Sequence, residues 1–124
     1  IAGRGDRKYI ELIKRFKFIK YFAFVSNKKK FELFKKSHVF LNPSIREGWG
    51  LTNLEANSQY TPVVGYNVSG LKDSVKNNQT GNLVKKGDTN SLISVIEKLM
   101  SDKQYYGKLS KNAYNWSQNF SWEK

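Results

Sequence analysis

His38-Val39-Phe40-Leu41-Asn42-Pro43-Ser44-Ile45-Arg46-Glu47-Gly48-Trp49-Gly50-Leu51-Thr52-Asn53-Leu54-Glu55-Ala56 is the stretch from which the rest of the chain can be read. His38 to Asn42, with the apolar run Val39-Phe40-Leu41, reads as a strand, closed by Pro43-Ser44. Ile45 to Gly50 then reads as a loop, and Leu51 to Ser58 as a helix. Two glycines just before a helix leave backbone N–H groups free to point at an anion or at hydroxyl groups. Glu47 stands in the loop, and Glu55 lies one turn inside the helix, ~6 Å along its axis from Leu51. Carboxylates accept hydrogen bonds and suit vicinal diols, such as the 2′,3′ pair of a ribose. Each acid also has a plain alternative: Glu55 as an ordinary helix acid, and Glu47 as a loop charge favourable to the helix start.

The same strand–loop–helix grammar extends in both directions. Upstream, Ile1-Ala2 reads as a strand tail ended by Gly3-Arg4-Gly5-Asp6. A helix is predicted from Arg7 to Phe16, and Ile19 to Val25 reads as a strand. Ser26 or Asn27 can cap the helix that follows, whose Phe31, Leu33 and Phe34 face inward. Downstream, Pro62 to Tyr66 reads as a buried parallel strand, Leu71 to Lys76 as a short helix, and Gly81 to Val84 as a short strand. Thr89 or Asn90 is expected to cap an amphipathic helix carrying Leu92, Ile93, Ile96, Leu99 and Met100. Tyr105 to Phe120 is the last predicted helix, with Tyr106, Leu109, Ala113 and Trp116 on one stripe. Alternating strands and helices predict a parallel sheet with helices on both faces, and in such sheets ligands sit beyond the carboxyl ends of the strands. Gly3 to Asp6, Phe24 to Asn27 and Asn42 to Gly50 all fall at such ends.

Composition bounds the chemistry. The 124 residues contain no cysteine and a single histidine, His38, which excludes disulfides and thiolate metal sites and argues against a histidine-based zinc site. The longest apolar run, Tyr21 to Val25, is far short of a membrane span. With no signal-peptide pattern, the chain is expected to be cytoplasmic, with peripheral contact at the inner face of the membrane as a further expectation. It opens at Ile1 inside an apolar segment, which reads as a piece of something longer. Lysine and arginine total 22 against 10 acids, a net +12. Residues 1–62 hold 13 bases and 5 acids (+8), and residues 63–124 hold 9 and 5 (+4). Such a balance fits an anionic partner: a nucleotide diphosphate, an anionic membrane or nucleic acid. Eighteen of the bases are lysine and four arginine, which disfavours specific nucleic-acid recognition. The alternative is a solvated lysine-rich surface.

Glu47 and Glu55, with seven residues between them in Glu-Gly-Trp-Gly-Leu-x-x-Leu-Glu-Ala, resemble the E-x7-E motif of the retaining GT-B glycosyltransferases of family GT4. The resemblance continues in order through Ile1 to Asp6, Phe22 to Ser26, His38 to Ser44, Thr61 to Val64, Ser69 to Asp73, Thr80 to Val84 and Phe120 to Trp122. It implies a Rossmann-like three-layer α/β/α fold with a parallel sheet, the C-terminal half of a GT-B enzyme. Residues 1–124 would form a single nucleotide-sugar-binding domain, with the acceptor domain and this domain's first strand-loop lying outside them. By the resemblance, Glu47 is the catalytic residue, contacting hydroxyls of the transferred sugar. Gly48, Trp49, Gly50, Leu51 and Thr52 would meet the donor sugar or diphosphate, with Gly3 and Arg4 bordering the diphosphate. Glu55 would hold the ribose, and Phe24, Val25 and Ser26 would meet the base.

The implied reaction moves a hexose from a UDP- or GDP-linked sugar to a cell-surface glycan or lipid-linked acceptor, with retention. No cofactor and no metal are expected. Departure of a nucleoside diphosphate needs its charge stabilised, and no Asp-x-Asp pair occurs among Asp6, Asp73, Asp88 and Asp102. Family members supply an arginine and a lysine from just upstream of this chain's first residue, so these 124 residues alone are expected to bind donor weakly and not to turn over. Departures from the family pattern are Ala23 for a glycine, Trp49 for a phenylalanine, and Asn57-Ser58-Gln59-Tyr60 for a small, glycine-containing run. Rival readings are a sugar epimerase of the same architecture, which should lack the glutamate pair, and a basic flavodoxin-like module that binds nucleotide or nucleic acid. A receiver-type module would need clustered aspartates. His38, Lys28 to Lys30 and the Tyr105, Tyr106, Tyr114, Trp116 stripe read as structural, solvated and packing residues respectively, with approach to an anionic membrane the alternative for the lysines. Arg46 either orients Glu47 or meets phosphate, or is a surface loop arginine.

Overall fold

Val63-Val64-Gly65-Tyr66 is buried at every position, which requires cover on both faces of the strand that it forms. In the computed structural model, which describes Ile1, residues 6–46, Gly48 and residues 50–120, that cover is present. The chain divides into two compact units, Ile1–Glu32 and Leu33–Lys124.

The second unit is built on three parallel strands, β1 (Phe40–Asn42), β2 (Val63–Tyr66) and β3 (Gly81–Val84), in that spatial order. Phe40 pairs with Val63, and Val63 with Gly81. Side chains alternate across a strand, so β2 feeds two cores. Val63 packs with Phe34 at the end of α2 (Asn27–Lys36), Ala56 of α3 (Leu51–Asn57) and Val75, which follows α4 (Leu71–Ser74). Val64 and Tyr66 pack on the opposite face with Leu92 and Leu99 of α5 (Thr89–Ser101) and Leu109 of α6 (Lys103–Ser117). The result is a three-layer α/β arrangement. Each buried valine, leucine or phenylalanine contributes about 1.5–3 kcal/mol relative to exposure, which makes these two clusters the main source of order. Gly65 lets β2 approach β1 closely: a Cβ there would lie 2.5 Å from the Asn42 carbonyl oxygen and 2.6 Å from Leu71 Cδ2.

In the first unit, Asp6 caps α1 (Arg7–Ile13) by accepting a hydrogen bond from the Lys8 N–H at 3.0 Å. The helix is shorter than the predicted Arg7–Phe16, and Phe16 lies in the turn beyond it. For the strand expected over Ile19–Val25, the described pairing is one rung: the Ile1 amine donates to the Lys20 carbonyl and the Phe22 N–H to the Ile1 carbonyl, both at 2.8 Å. Among the described residues, Ile19–Val25 forms no strand beyond this rung. Ser26 caps α2 as predicted, its hydroxyl accepting from the Lys29 N–H at 3.1 Å.

The cap of α5 and the bounds of α6 differ from expectation. Thr89 and Asn90 are already helical, and Asp88 caps α5, accepting from the Ser91 N–H at 3.0 Å and the Ser91 hydroxyl at 2.7 Å. The last helix begins at Lys103 rather than Tyr105 because Asp102 accepts from the Tyr105 N–H at 3.0 Å, and it ends at Ser117. Both carboxyls are held below the ordinary carboxylate value, Asp88 by its bonds from Ser91 and Asp102 by the Tyr105 amide. Burial pushes the Tyr106 phenol up. That hydroxyl donates to the His38 carbonyl at 2.7 Å, so His38 receives α6 through its backbone. Among the described residues, no helix is long and apolar enough to cross a membrane.

Candidate functional site

The loop and helix α3 follow the carboxyl end of β1. Gly50 turns the chain into α3 with a left-handed backbone, φ 80° and ψ 40°. Its carbonyl accepts the Asn53 N–H at 2.9 Å, closing the first turn. A Cβ at Gly50 would collide with the Ser74 hydroxyl and come within 2.7 Å of the Asn53 amide nitrogen. Glycine is therefore required twice, by conformation and by space. Among the described residues no side chain caps the helix. Leu51 and Thr52, at its start, are exposed, and Glu55 is half-buried one turn on.

Beneath this exposed turn runs a buried chain of polar side chains. Asn42, the last residue of β1, donates from Nδ2 to Asn53 Oδ1 at 2.9 Å. Asn53 donates from its own Nδ2 to Ser74 Oγ at 2.9 Å, and the Ser74 hydroxyl donates to the Gly70 carbonyl at 3.1 Å. The Ser44 N–H donates to Asn42 Oδ1 at 3.2 Å, which bends the chain away from β1 into the loop. On the far side, the Trp116 indole N–H of α6 donates to the Ser74 carbonyl at 2.9 Å, with Lys76 Nζ 4.6 Å from the centre of the Trp116 ring. A strand end, the loop helix, α4 and the last helix are thus joined by directional bonds in a site with little water access.

Of the residues expected to form a site, Gly48, Gly50, Leu51, Thr52 and Glu55 fall together on this loop and helix. Glu47, Trp49, Gly3 and Arg4 lie outside the described residues. Phe24, Val25 and Ser26 belong to the first unit; Phe24 is exposed, and Ser26 is engaged as the α2 cap. Arg46 is exposed. Asn42, Asn53 and Ser74 were missed by sequence reasoning. A usable signal existed for two of them: each is an asparagine in an apolar setting, Asn42 after Val39-Phe40-Leu41 and Asn53 between Leu51 and Leu54.

The profile of one family, glycosyl transferases group 1, matches residues 1–116. The chain belongs to this family. Among curated relatives, the capsular polysaccharide biosynthesis glycosyltransferase CapM of Staphylococcus aureus is 37% identical over 79 residues, 64% of this chain and 21% of CapM. The D-inositol 3-phosphate glycosyltransferase of Rhodococcus jostii is 34% identical over 92 residues, 74% of this chain and 20% of that enzyme. This member of the group 1 transferases therefore spans about a fifth of the length of these relatives. Among solved structures, HepE of Anabaena, determined with UDP and glucose, superposes with a TM-score of 0.84 at 21% identity, covering 95% of this chain and 35% of HepE. Sucrose-phosphate synthase of Thermosynechococcus elongatus gives 0.83 at 24% identity, covering 95% and 33%. At those identities the likeness establishes the fold, that of the GT-B glycosyltransferases. The group 1 match runs across the whole of His38 to Ala56.

Proposed function

We propose that this chain is the donor-binding part of a retaining glycosyltransferase that moves a hexose from a nucleotide-diphosphate sugar to a cell-surface glycan or lipid-linked acceptor. The observation that carries the reading is the position of Glu55: half-buried, one turn inside a helix that starts at the carboxyl edge of the sheet, in a chain of the group 1 family. In this assignment Glu55 accepts hydrogen bonds from the ribose hydroxyls. Glu47 meets hydroxyls of the transferred sugar, and Gly48, Trp49, Gly50, Leu51 and Thr52 line the sugar and diphosphate, with Gly3 and Arg4 at its border. Phe24, Val25 and Ser26 meet the base. These roles rest on the E-x7-E spacing and on the order of motifs. No cofactor or metal takes part in the proposed reaction. Charge on the leaving diphosphate is met by backbone N–H groups, with side-chain cations from elsewhere in the longer protein.

The donor is UDP- or GDP-linked. Uridine is the first base to test, because HepE was determined with UDP-glucose and with UDP. CapM, named for capsular polysaccharide biosynthesis, supports a cell-surface glycan as the acceptor. Acceptor binding is assigned to a further domain, and the whole enzyme to the cytoplasm, with peripheral contact at the inner membrane face. Calorimetric titration of the full-length protein with UDP-glucose, GDP-mannose, UDP and GDP, in EDTA, tests the reading. Base-selective binding that weakens in Glu55→Ala is the expected result. Equal binding of every polyanion, indifferent to Glu55 and lost with salt, would instead identify a basic nucleotide- or nucleic-acid-binding module.

A further inference from the structure

We propose that Asn53 is a positioning residue for Glu55: its buried amide, bonded to the end of β1 on one side and to α4 on the other, fixes the rotation and axial position of α3. Residues 53 and 55 are ~200° apart around a helix, so Asn53 turns into the protein while Glu55 looks outward. The inner face of α3 otherwise presents Leu54, Ala56 and Asn57, all buried. Apolar packing is non-directional and roughly proportional to area, so a short helix held by it alone can rotate or slide with little change in burial.

Asn53 supplies the missing direction. Its Oδ1 accepts from Asn42 and its Nδ2 donates to Ser74, both at 2.9 Å, and all three residues are buried. A rotation of α3 that moved Glu55 would break one bond or the other. A buried polar group left unpaired is costly, so the displaced arrangement is penalised at both ends. A leucine would fill a similar volume without any polar group to satisfy, yet it could not tell one helix rotation from its neighbour. The Gly50 turn packs directly against the same amide, since a Cβ at Gly50 would come within 2.7 Å of Asn53 Nδ2. Asn57, one turn further along, is an internal contrast. It is also buried, but its Nδ2 donates to the Thr61 carbonyl four residues ahead, which closes the helix end and does not tie α3 to β1 or α4.

The consequence for ligand rests on the reading of Glu55 as a nucleotide contact; the consequence for α3 does not. The test compares Asn53→Leu with Asn57→Leu in the full-length protein, by thermal unfolding, by hydrogen exchange over residues 50–56, and by titration with UDP and with GDP. At a matched loss of thermal stability, Asn53→Leu should raise exchange over 50–56 about tenfold beyond Asn57→Leu, and weaken nucleotide binding by about tenfold, as a misplaced contact group does. Ser74→Ala, which removes only the α4 side, should move both readouts in the same direction, and it carries the test if Asn53→Leu does not fold. Equal exchange in the Asn53 and Asn57 variants would overturn the proposal. If the unmutated protein binds neither nucleotide, the donor reading fails, and the exchange comparison alone decides the role of Asn53.

Discussion

The two units use aromatic and aliphatic side chains in opposite ways. In Leu33–Lys124 they alternate along paired strands and meet helices on both sheet faces, so Val63, Val64, Leu54 and Leu109 have no exposed surface. In Ile1–Glu32, α1 buries no residue, and Phe18 and Phe24 are 83% and 80% exposed. Phe16 and Phe18 meet edge to face, 5.7 Å between ring centres, yet both rings stay open to solvent. Apolar content alone therefore does not make a core. What makes one is a strand with partners, which turns a two-residue period into two continuous apolar faces.

That contrast can be broken by substitution. Leu54→Ala and Leu109→Ala, each emptying a fully buried site, should each cost about 2–5 kcal/mol in denaturant unfolding. A loss below about 1 kcal/mol at both would mean that the buried apolar sites of the second unit are not the source of its stability. Gly50→Ala should come next, at about 1–3 kcal/mol, because its left-handed backbone and the Ser74 hydroxyl both oppose a methyl group. Its cost should shrink in a Gly50→Ala, Ser74→Gly double variant, leaving the conformational part and the contact with the Asn53 amide.

A smaller effect is expected from the caps of α5 and α6. Asp88 and Asp102 have folded values below their unfolded ones. Their stabilisation is therefore fully present above the unfolded carboxylate value, about pH 4, and is lost as pH falls through the depressed folded values. Stability measured from pH 6 downward should fall less steeply in Asp88→Asn and Asp102→Asn than in the unmutated chain, since asparagine still caps but does not titrate there. An unchanged slope would mean that other carboxylates govern the acid limb. Least of all, Phe18→Ser in the first unit should change stability by no more than about 0.5 kcal/mol. A loss approaching that of Leu54→Ala would remove the distinction between the units.

Much of the second unit was legible in the sequence because its strands are bounded by strong punctuation. Pro62 precedes β2, Gly81 begins β3, and Pro43-Ser44 ends β1. Pattern reading misplaced the start of α5 because Thr89 and Asn90 are as good at capping by residue type as Asp88, and only geometry decides which oxygen reaches the Ser91 N–H. It overextended α1 because Phe16 continues the apolar spacing past the point where the hydrogen bonds stop. The glutamate pair and the two glycines around Trp49 were readable as a motif, since spacing and residue type are all that a motif needs. The Asn42–Asn53–Ser74 chain was not. Its members lie 11 and 21 residues apart, and only the stacking of α3 between β1 and α4 brings them within hydrogen-bond reach.

The central claim is that Glu55 holds a ribose. The most direct measurement is a crystal structure of the full-length protein with UDP bound. A Glu55 carboxylate oxygen within about 2.7 Å of a ribose hydroxyl, as a charge-assisted hydrogen bond requires, is the predicted result. A nucleotide bound elsewhere, or a ribose held with Glu55 out of hydrogen-bond reach, would contradict it.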